Sequence, residues 1–206
     1  MTRREEIIFA TLELASEYGL KAVSLTQIAE KVGIKKPSLY NHFKSKDEIV
    51  SAMYSFLREQ AKNNNSAPVD YTKLISDRSL EEILVFTLSI YVGFLFDKNM
   101  MAFFRVLYSE RSTSPVAAQI MLEETERMTA SVRNLFYALA VHGKIRNEDV
   151  DIAALSYAMT VHSLVDRQMD VITAGQIEVT KENGISDDMR QYVTWFAKQM
   201  EVKKDE

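Results

Sequence analysis

The chain contains no cysteine. That removes disulfides, thiolate nucleophiles, thiol redox sensing and cysteine-rich zinc sites together, and it fits a reducing compartment. Glycine and proline are scarce as well, 6 and 3 in 206 residues. These are too few for the turn clusters that a sheet protein needs, whereas residues with good helix propensity dominate. The fold class expected is therefore all-α. With 3 separated histidines, no glycine-rich loop and no thiol, there is no pairing of nucleophile with base and no phosphate cradle, so neither an enzyme nor a cofactor is expected. Long apolar runs are missing too. The nearest, Ile83 to Phe96, is interrupted by Thr, Ser, Tyr and Gly and closed by Asp97, Lys98 and Asn99, well short of a bilayer's thickness. It reads as a helix enclosed by others at the centre of a bundle, with no membrane partner. The opening residues carry Arg3, Arg4, Glu5 and Glu6 and lack the apolar core of a secretory signal, so the cytoplasm is the expected location.

What is present is a positive patch in an acidic chain. The net charge is -4, which by itself argues against nucleic acid, but residues 1–62 carry a small positive excess and the rest carries all the negative one. Between Gly33 and Lys46 stand Lys35, Lys36, Lys44 and Lys46 with no acid among them, beside Ser38, Tyr40, Asn41 and His42.

Helical periodicity organises that region. Ile7, Ala10, Leu14 and Tyr18 form one stripe, so a first helix is expected from Arg3 to Tyr18, stopped by Gly19. Ser24 and Gln27 make a capping box, with Val23 and Ile28 as a hydrophobic staple, and launch a second helix that ends near Val32 at Gly33. Pro37 is tolerated only in a first turn, which places a third helix over Lys36 to His42, anchored by Leu39 and Phe43. Ser45 and Glu48 cap a fourth to about Lys62. Asn63 to Ser79, with Pro68, is polar and aperiodic and reads as the boundary between domains 1–62 and 79–202. Further helices follow: one capped by Ser79, one over Met100 to Glu110, and long ones opened by Ser114-Pro115 and by Asn147. Ser186 to Met200 is the last, before a fraying tail from Lys203 to Glu206.

Two helices joined by a tight glycine turn, the second presenting short polar and basic side chains, is the geometry that sets a recognition helix into the major groove. Residues 24–46, SLTQIAEKVGIKKPSLYNHFKSK, resemble the signature of TetR (tetracycline-repressor) family regulators: a capped helix with Ile-Ala, a glycine turn, then Ser-Leu-Tyr and an aromatic before Lys-Ser-Lys. The likeness covers residues 3 to about 62. Ala15, Thr11 and Pro37 depart from it, where a larger apolar residue, Ala and Gly are usual.

The resemblance implies a repressor that binds a palindromic operator in double-stranded DNA as a homodimer and responds to a small molecule. By position it assigns Lys36, Ser38 and Asn41 to base edges, and Thr26 and Gln27 to backbone or base. Tyr40, His42 and Lys46 fall to phosphates, with Lys35 and Pro37 beside them. It also implies an effector pocket, for which Phe86, Ile90, Phe94, Phe103, Phe104, Tyr108, Met121, Thr125, Met128, Tyr157, Met159 and His162 offer a lining suited to a largely apolar or aromatic ligand. The dimer contact is expected from the last two long helices through Leu155, Met159, Leu164, Val193, Trp195 and Phe196. His162, Asp166 and Asp170 recur every four residues, a spacing open to a metal but read as a polar seam. The alternative is a helical DNA-binding protein whose second domain only dimerises or recruits another protein.

Overall fold

The computed structural model describes residues 1–64, 70–176 and 184–202. Pro68 and the charged tail Lys203–Glu206 lie outside them. Helices make up the described fold: α1 (Arg3–Tyr18), α2 (Leu25–Val32), α3 (Lys36–Leu39), α4 (Lys46–Asn64), α5 (Tyr71–Ile75), α6 (Leu80–Leu95), α7 (Lys98–Glu110), α8 (Pro115–Val141), α9 (Val150–Thr173) and α10 (Asp187–Met200).

Caps decide where most of these begin. In α1, Thr2 and Glu5 satisfy each other's backbone donors. In α2, the Gln27 backbone N–H donates to Ser24 Oγ at 3.2 Å while Gln27 Oε1 accepts from Ser24 N at 2.8 Å. Ser79 and Glu82 repeat the arrangement at α6. That double donation holds the Glu82 carboxyl below the usual carboxylate range. The box expected at Ser45 is only half formed. Ser45 Oγ accepts from Glu48 N at 3.1 Å, but the Glu48 carboxylate turns to Lys44 N at 2.7 Å. Asn147 does not open α9; Asp149 does, in the left-handed region at φ 59 and without a side-chain cap.

α3 is shorter than periodicity suggests. After Leu39 the chain tightens into three-residue turns, His42 N donating to Leu39 O at 2.9 Å and Asn41 N to Ser38 O at 3.3 Å, the usual way a helix end uses up its free carbonyls. α5 is an element the polar composition of its segment conceals; Asp70 caps it through Lys73 N.

Packing gathers the chain into two compact units, each drawn from two stretches of sequence. The first unit is Met1–Ala67 with Asp97–Met121, the second Pro68–Phe96 with Leu122–Glu206. In the first, α1 packs on α2, α4 and α7, burying Ile7, Ile8, Ala10, Leu12 and Leu14 along with Ala15. Tyr18, placed on the same stripe by sequence, is exposed because the helix has by then outrun its partners. Thr11 is fully buried and its hydroxyl donates to Ile7 O at 2.8 Å, so this departure from the family pattern leaves no polar group unpaired.

In the second unit α10 packs on α6 and α9. Thr194 Oγ1 donates to Glu81 Oε1 at 2.7 Å, Lys144 Nζ to Arg78 O at 2.7 Å and Arg167 to Asp188 at 2.7 Å. An aromatic group of Phe136, Tyr157, Tyr192 and Phe196 fills one end, its rings 5.0–5.9 Å apart. α6 is not enclosed, contrary to its nearly all-round apolar pattern. It buries Leu80, Ile83, Leu84, Leu88 and Val92, a single stripe at helical spacing, and leaves Phe86 42% and Ile90 56% exposed on the other side.

Two glycines test the backbone with opposite sign. Gly33 sits at φ +73 with nothing within 4 Å of an added Cβ, and Gly93 lies inside α6 with equally open surroundings and no positive φ. Gly33→Ala is expected to lower stability by about 1 kcal/mol through conformation alone, and Gly93→Ala to raise it by up to about 1 kcal/mol. Urea unfolding midpoints check both; a loss at Gly93 would show that this face of α6 has a close-packed partner in solution.

Candidate nucleic-acid interface and sensor region

The turn between α2 and α3 sets the interface. Gly33 takes the left-handed conformation at φ 73 and ψ 31, and Ile34 N reaches back to Ala29 O at 2.9 Å, the arrangement that ends a helix and redirects the chain in one step. Inward, Ile28, Ala29, Leu39 and Phe43 are buried. Outward, Thr26, Gln27, Lys35, Lys36, Pro37, Tyr40 and Asn41 are exposed together. Ser38 and His42 are half-buried. The short α3 is clamped from α1: the Arg4 guanidinium lies 4.0 Å from the centre of the Phe43 ring, donates to the His42 carbonyl and approaches Glu48 at 3.9 Å. Arg4 carries no motif signal in the sequence, because its role depends on a partner 38 residues further on.

Lys46 has a different job from the one its position suggests. Its Nζ donates to Leu20 O at 2.6 Å, tying the start of α4 to the loop after α1. The ammonium of Lys46 is committed to the fold, whereas among the described residues no such bond engages Lys35 or Lys36.

The residues expected to line a pocket are dispersed. Phe104, Tyr108 and Met121 belong to the first compact unit, and Phe86, Ile90, Phe94, Thr125, Met128, Tyr157 and His162 to the second. Phe103 and Phe104 are buried core of α7, with Tyr54 near Phe103 at 6.2 Å between ring centres. Tyr157 is core of the aromatic group, but its hydroxyl is buried without a hydrogen-bond partner; burial first, then the nearby Tyr192, pushes its pKa up. Phe94, Thr125, Met128 and His162 are half-buried.

Polar groups missing from the expected lining accompany them in the second unit. Tyr91 on α6 has its phenol pushed up by burial, with the Asp166 and Glu124 carboxylates adding to the effect. Glu124 on α8 pairs with Arg127 at 2.7 Å. On α9, His162 Nε2 stands 3.8 Å from Asp166 Oδ2. Asp170 is exposed, and among the described residues no three His, Asp or Glu side chains gather as metal ligands. An acid on the Met121–Met128 stripe was the available signal for Glu124.

At the dimer contact expected from the last two helices, Leu155, Met159 and Trp195 are exposed, joined by Ile152 at 60%. Val193 and Phe196 are instead buried within the chain's own core, and Leu164 is half-buried. The helix face turned toward α6 and α8 claims them first.

Comparison with known proteins decides the family. Residues 7–53 match the model for bacterial regulatory proteins of the tetR family, and residues 82–198, more than half the chain, match the C-terminal domain of AefR-like transcriptional repressors. The chain belongs to the TetR family. The family is one of transcriptional regulators, not of enzymes. Curated relatives match the reading head: the class C tetracycline repressor of Escherichia coli is 35% identical over 51 residues, 25% of this chain and 23% of that protein. The KstR2 repressor of Mycolicibacterium smegmatis is 41% identical over 49 residues, 24% of each. The chain therefore spans about a quarter of the length of these relatives. Fold likeness extends over the whole chain: a TetR-family regulator of Mesorhizobium loti superposes with a TM-score of 0.70 at 22% identity, covering 97% of both chains. A regulator from Saccharomonospora viridis, solved with choline, gives 0.67 at 18% identity over 98% of both. Among the described residues no helix is long and apolar enough to cross a membrane.

The two lysines separate by their roles. Lys46→Ala is expected to cost about 1–3 kcal/mol, for a charge-assisted hydrogen bond lost in a half-buried place, and Lys36→Ala less than about 0.5 kcal/mol. Thermal unfolding of the two variants beside the wild type checks the difference.

Proposed function

We propose that this TetR-family regulator is a cytoplasmic repressor which binds a palindromic operator as a dimer and leaves it when a small molecule occupies the second unit. The observation that carries the reading is the division of labour in α2 and α3. Four apolar side chains are buried, while Thr26, Gln27, Lys35, Lys36, Tyr40 and Asn41 stand exposed on a turn that Gly33 and the Ser24 cap hold in place. Lys36, Ser38 and Asn41 then read base edges in the major groove, and Tyr40, Lys35 and His42 hold phosphates, setting affinity and register. Thr26 and Gln27 touch backbone or base at the entry of α2, and Pro37 stiffens the first turn of α3. Lys46 takes a smaller share than its position suggests, since the Leu20 carbonyl already holds its ammonium.

The exposed stripe of Ile152, Leu155 and Met159 on α9, with Trp195 on α10, supports a twofold dimer through the last two helices. A dimer places two reading helices about 34 Å apart, one turn of DNA, or somewhat more. α8 contributes Pro115–Met121 to the first unit and Leu122–Val141 to the second. Its backbone is one covalent route by which occupancy in the second unit biases the first. A ligand that favours one of two states by a few kcal/mol suffices to shift operator affinity by orders of magnitude.

Selection of bound duplexes from a random pool is expected to return a palindrome for the wild type. Asn41→Ala should relax the preference at its own base position at a cost of about 1–3 kcal/mol. Lys35→Ala should weaken all sequences alike and reduce the log–log salt slope by about 1. A charge placed in the exposed stripe, Met159→Asp, should yield a monomer by light scattering that no longer selects the palindrome. Enrichment of no sequence by the wild type would overturn the reading.

A further inference from the structure

We infer that the first unit carries a ligand site of its own, between α1 and α7, which takes an organic anion with an apolar body. A cavity of about 450 Å³ opens there, within the size range of small-molecule sites. Its lining residues all belong to the first unit. The site is therefore separate from the second unit, where the proposed mechanism places the effector.

The lining has two parts. Phe9 and Leu12 from α1 meet Met101 and Ala102 from α7 in an apolar wall. Beside it stand Lys98 and Arg105, two helical turns apart and so on one face of α7. Neither cation has a hydrogen bond or an ion pair among the described residues, and Arg105 Nε is shut off from solvent without an acceptor. The carboxylate in the lining, Glu13, is already answered, since Lys31 of α2 holds it at 3.1 Å. Positive charge is thus in excess around the cavity. An enclosed donor without an acceptor is costly, and native folds keep few of them. The planar fork of a guanidinium matches the paired oxygens of a carboxylate or a phosphate. An anionic head satisfies what the fold leaves open, and an apolar body covers the wall beside it. A cation would meet like charge there, and an uncharged apolar molecule would leave the guanidinium unanswered.

The same walls hold the helix-turn-helix to α1. Phe9 packs edge-on against Phe56 of α4, with 5.5 Å between ring centres, and the Glu13–Lys31 pair ties α1 to α2. A ligand lying on Phe9 and Glu13 braces α1 against both neighbours, without passing through the second unit.

The test uses the full-length protein and straight-chain carboxylates of graded length, each beside the phosphate monoester, the alcohol and the primary amine of the same skeleton. Thermal shift and titration calorimetry measure binding. The two anions are expected to raise the melting temperature, while the alcohol and the amine bind about tenfold more weakly or worse. Arg105→Gln should weaken the anions about tenfold or more without weakening the alcohol. Ala102→Phe, which fills the apolar wall, should weaken every member of the series. Circular dichroism checks that both variants stay helical. A carboxylate bearing a diazirine, photolysed on the wild type, keeps the test independent of the variants: its label is expected on peptides from α1 and α7. Label confined to peptides of the second unit would sink the inference and leave ligand sensing there standing. Anions that bind no better than the alcohol, or no binding by any of the compounds, would sink it equally.

Discussion

The reading head depends on two buried side chains. α3 has only four residues, too few to hold a helix by its own hydrogen bonds, since nucleation alone costs more than one turn returns. What keeps it in place is the burial of Leu39 and Phe43, at 0% and 1% exposure, between a left-handed turn before it and the capped start of α4 after it. Arg4 closes the arrangement from α1, over the face of Phe43. Its guanidinium is at once a cation above a ring and a donor to the carbonyl at the end of the turn, so the first and third helices are fixed to one another by chemistry as well as by packing. Everything the surface of α3 offers to DNA is held from beneath.

Much of this could be read in the sequence because the controlling signals are local. A serine three residues before a glutamine or glutamate marks a helix start whatever the surroundings, and Gly33 marks a sharp turn for the same reason. The long-range pieces were not legible. Nothing near Arg4 announces its partner beyond residue 40, and Lys46 looks like a phosphate ligand until the Leu20 carbonyl is seen beside it. The boundary at 62 and 79 followed a change in composition. α7 nevertheless joins α1 and α4 in one unit, since its apolar face, Met100, Phe103, Val106 and Leu107, needs a partner that composition cannot choose. The second unit was read least well. Apolar periodicity tells that a helix has a buried stripe but not which of two apolar sides is inside. So α6 was read as enclosed, and Val193 and Phe196 as surface.

Both units enclose polar atoms. In the first, the buried hydroxyl of Thr11 is satisfied within its own helix, while Arg105 Nε is shut off from solvent without a hydrogen bond. In the second, Glu124 Oε1, His162 Nδ1 and the Tyr157 hydroxyl are enclosed in the same way. Such atoms cost stability, because an apolar replacement of equal shape is usually no worse and often better.

The side chains of Lys36, Tyr40 and Asn41 are exposed on α3 and the turn that ends it. Substitutions there leave the foundation of Leu39, Phe43 and Gly33 untouched. Such a surface can drift from one target sequence to another through folded intermediates, each change tested by what it binds and not by whether the chain survives. On the proposed reading, the residues that set the target sequence can change while the scaffold beneath them stays still.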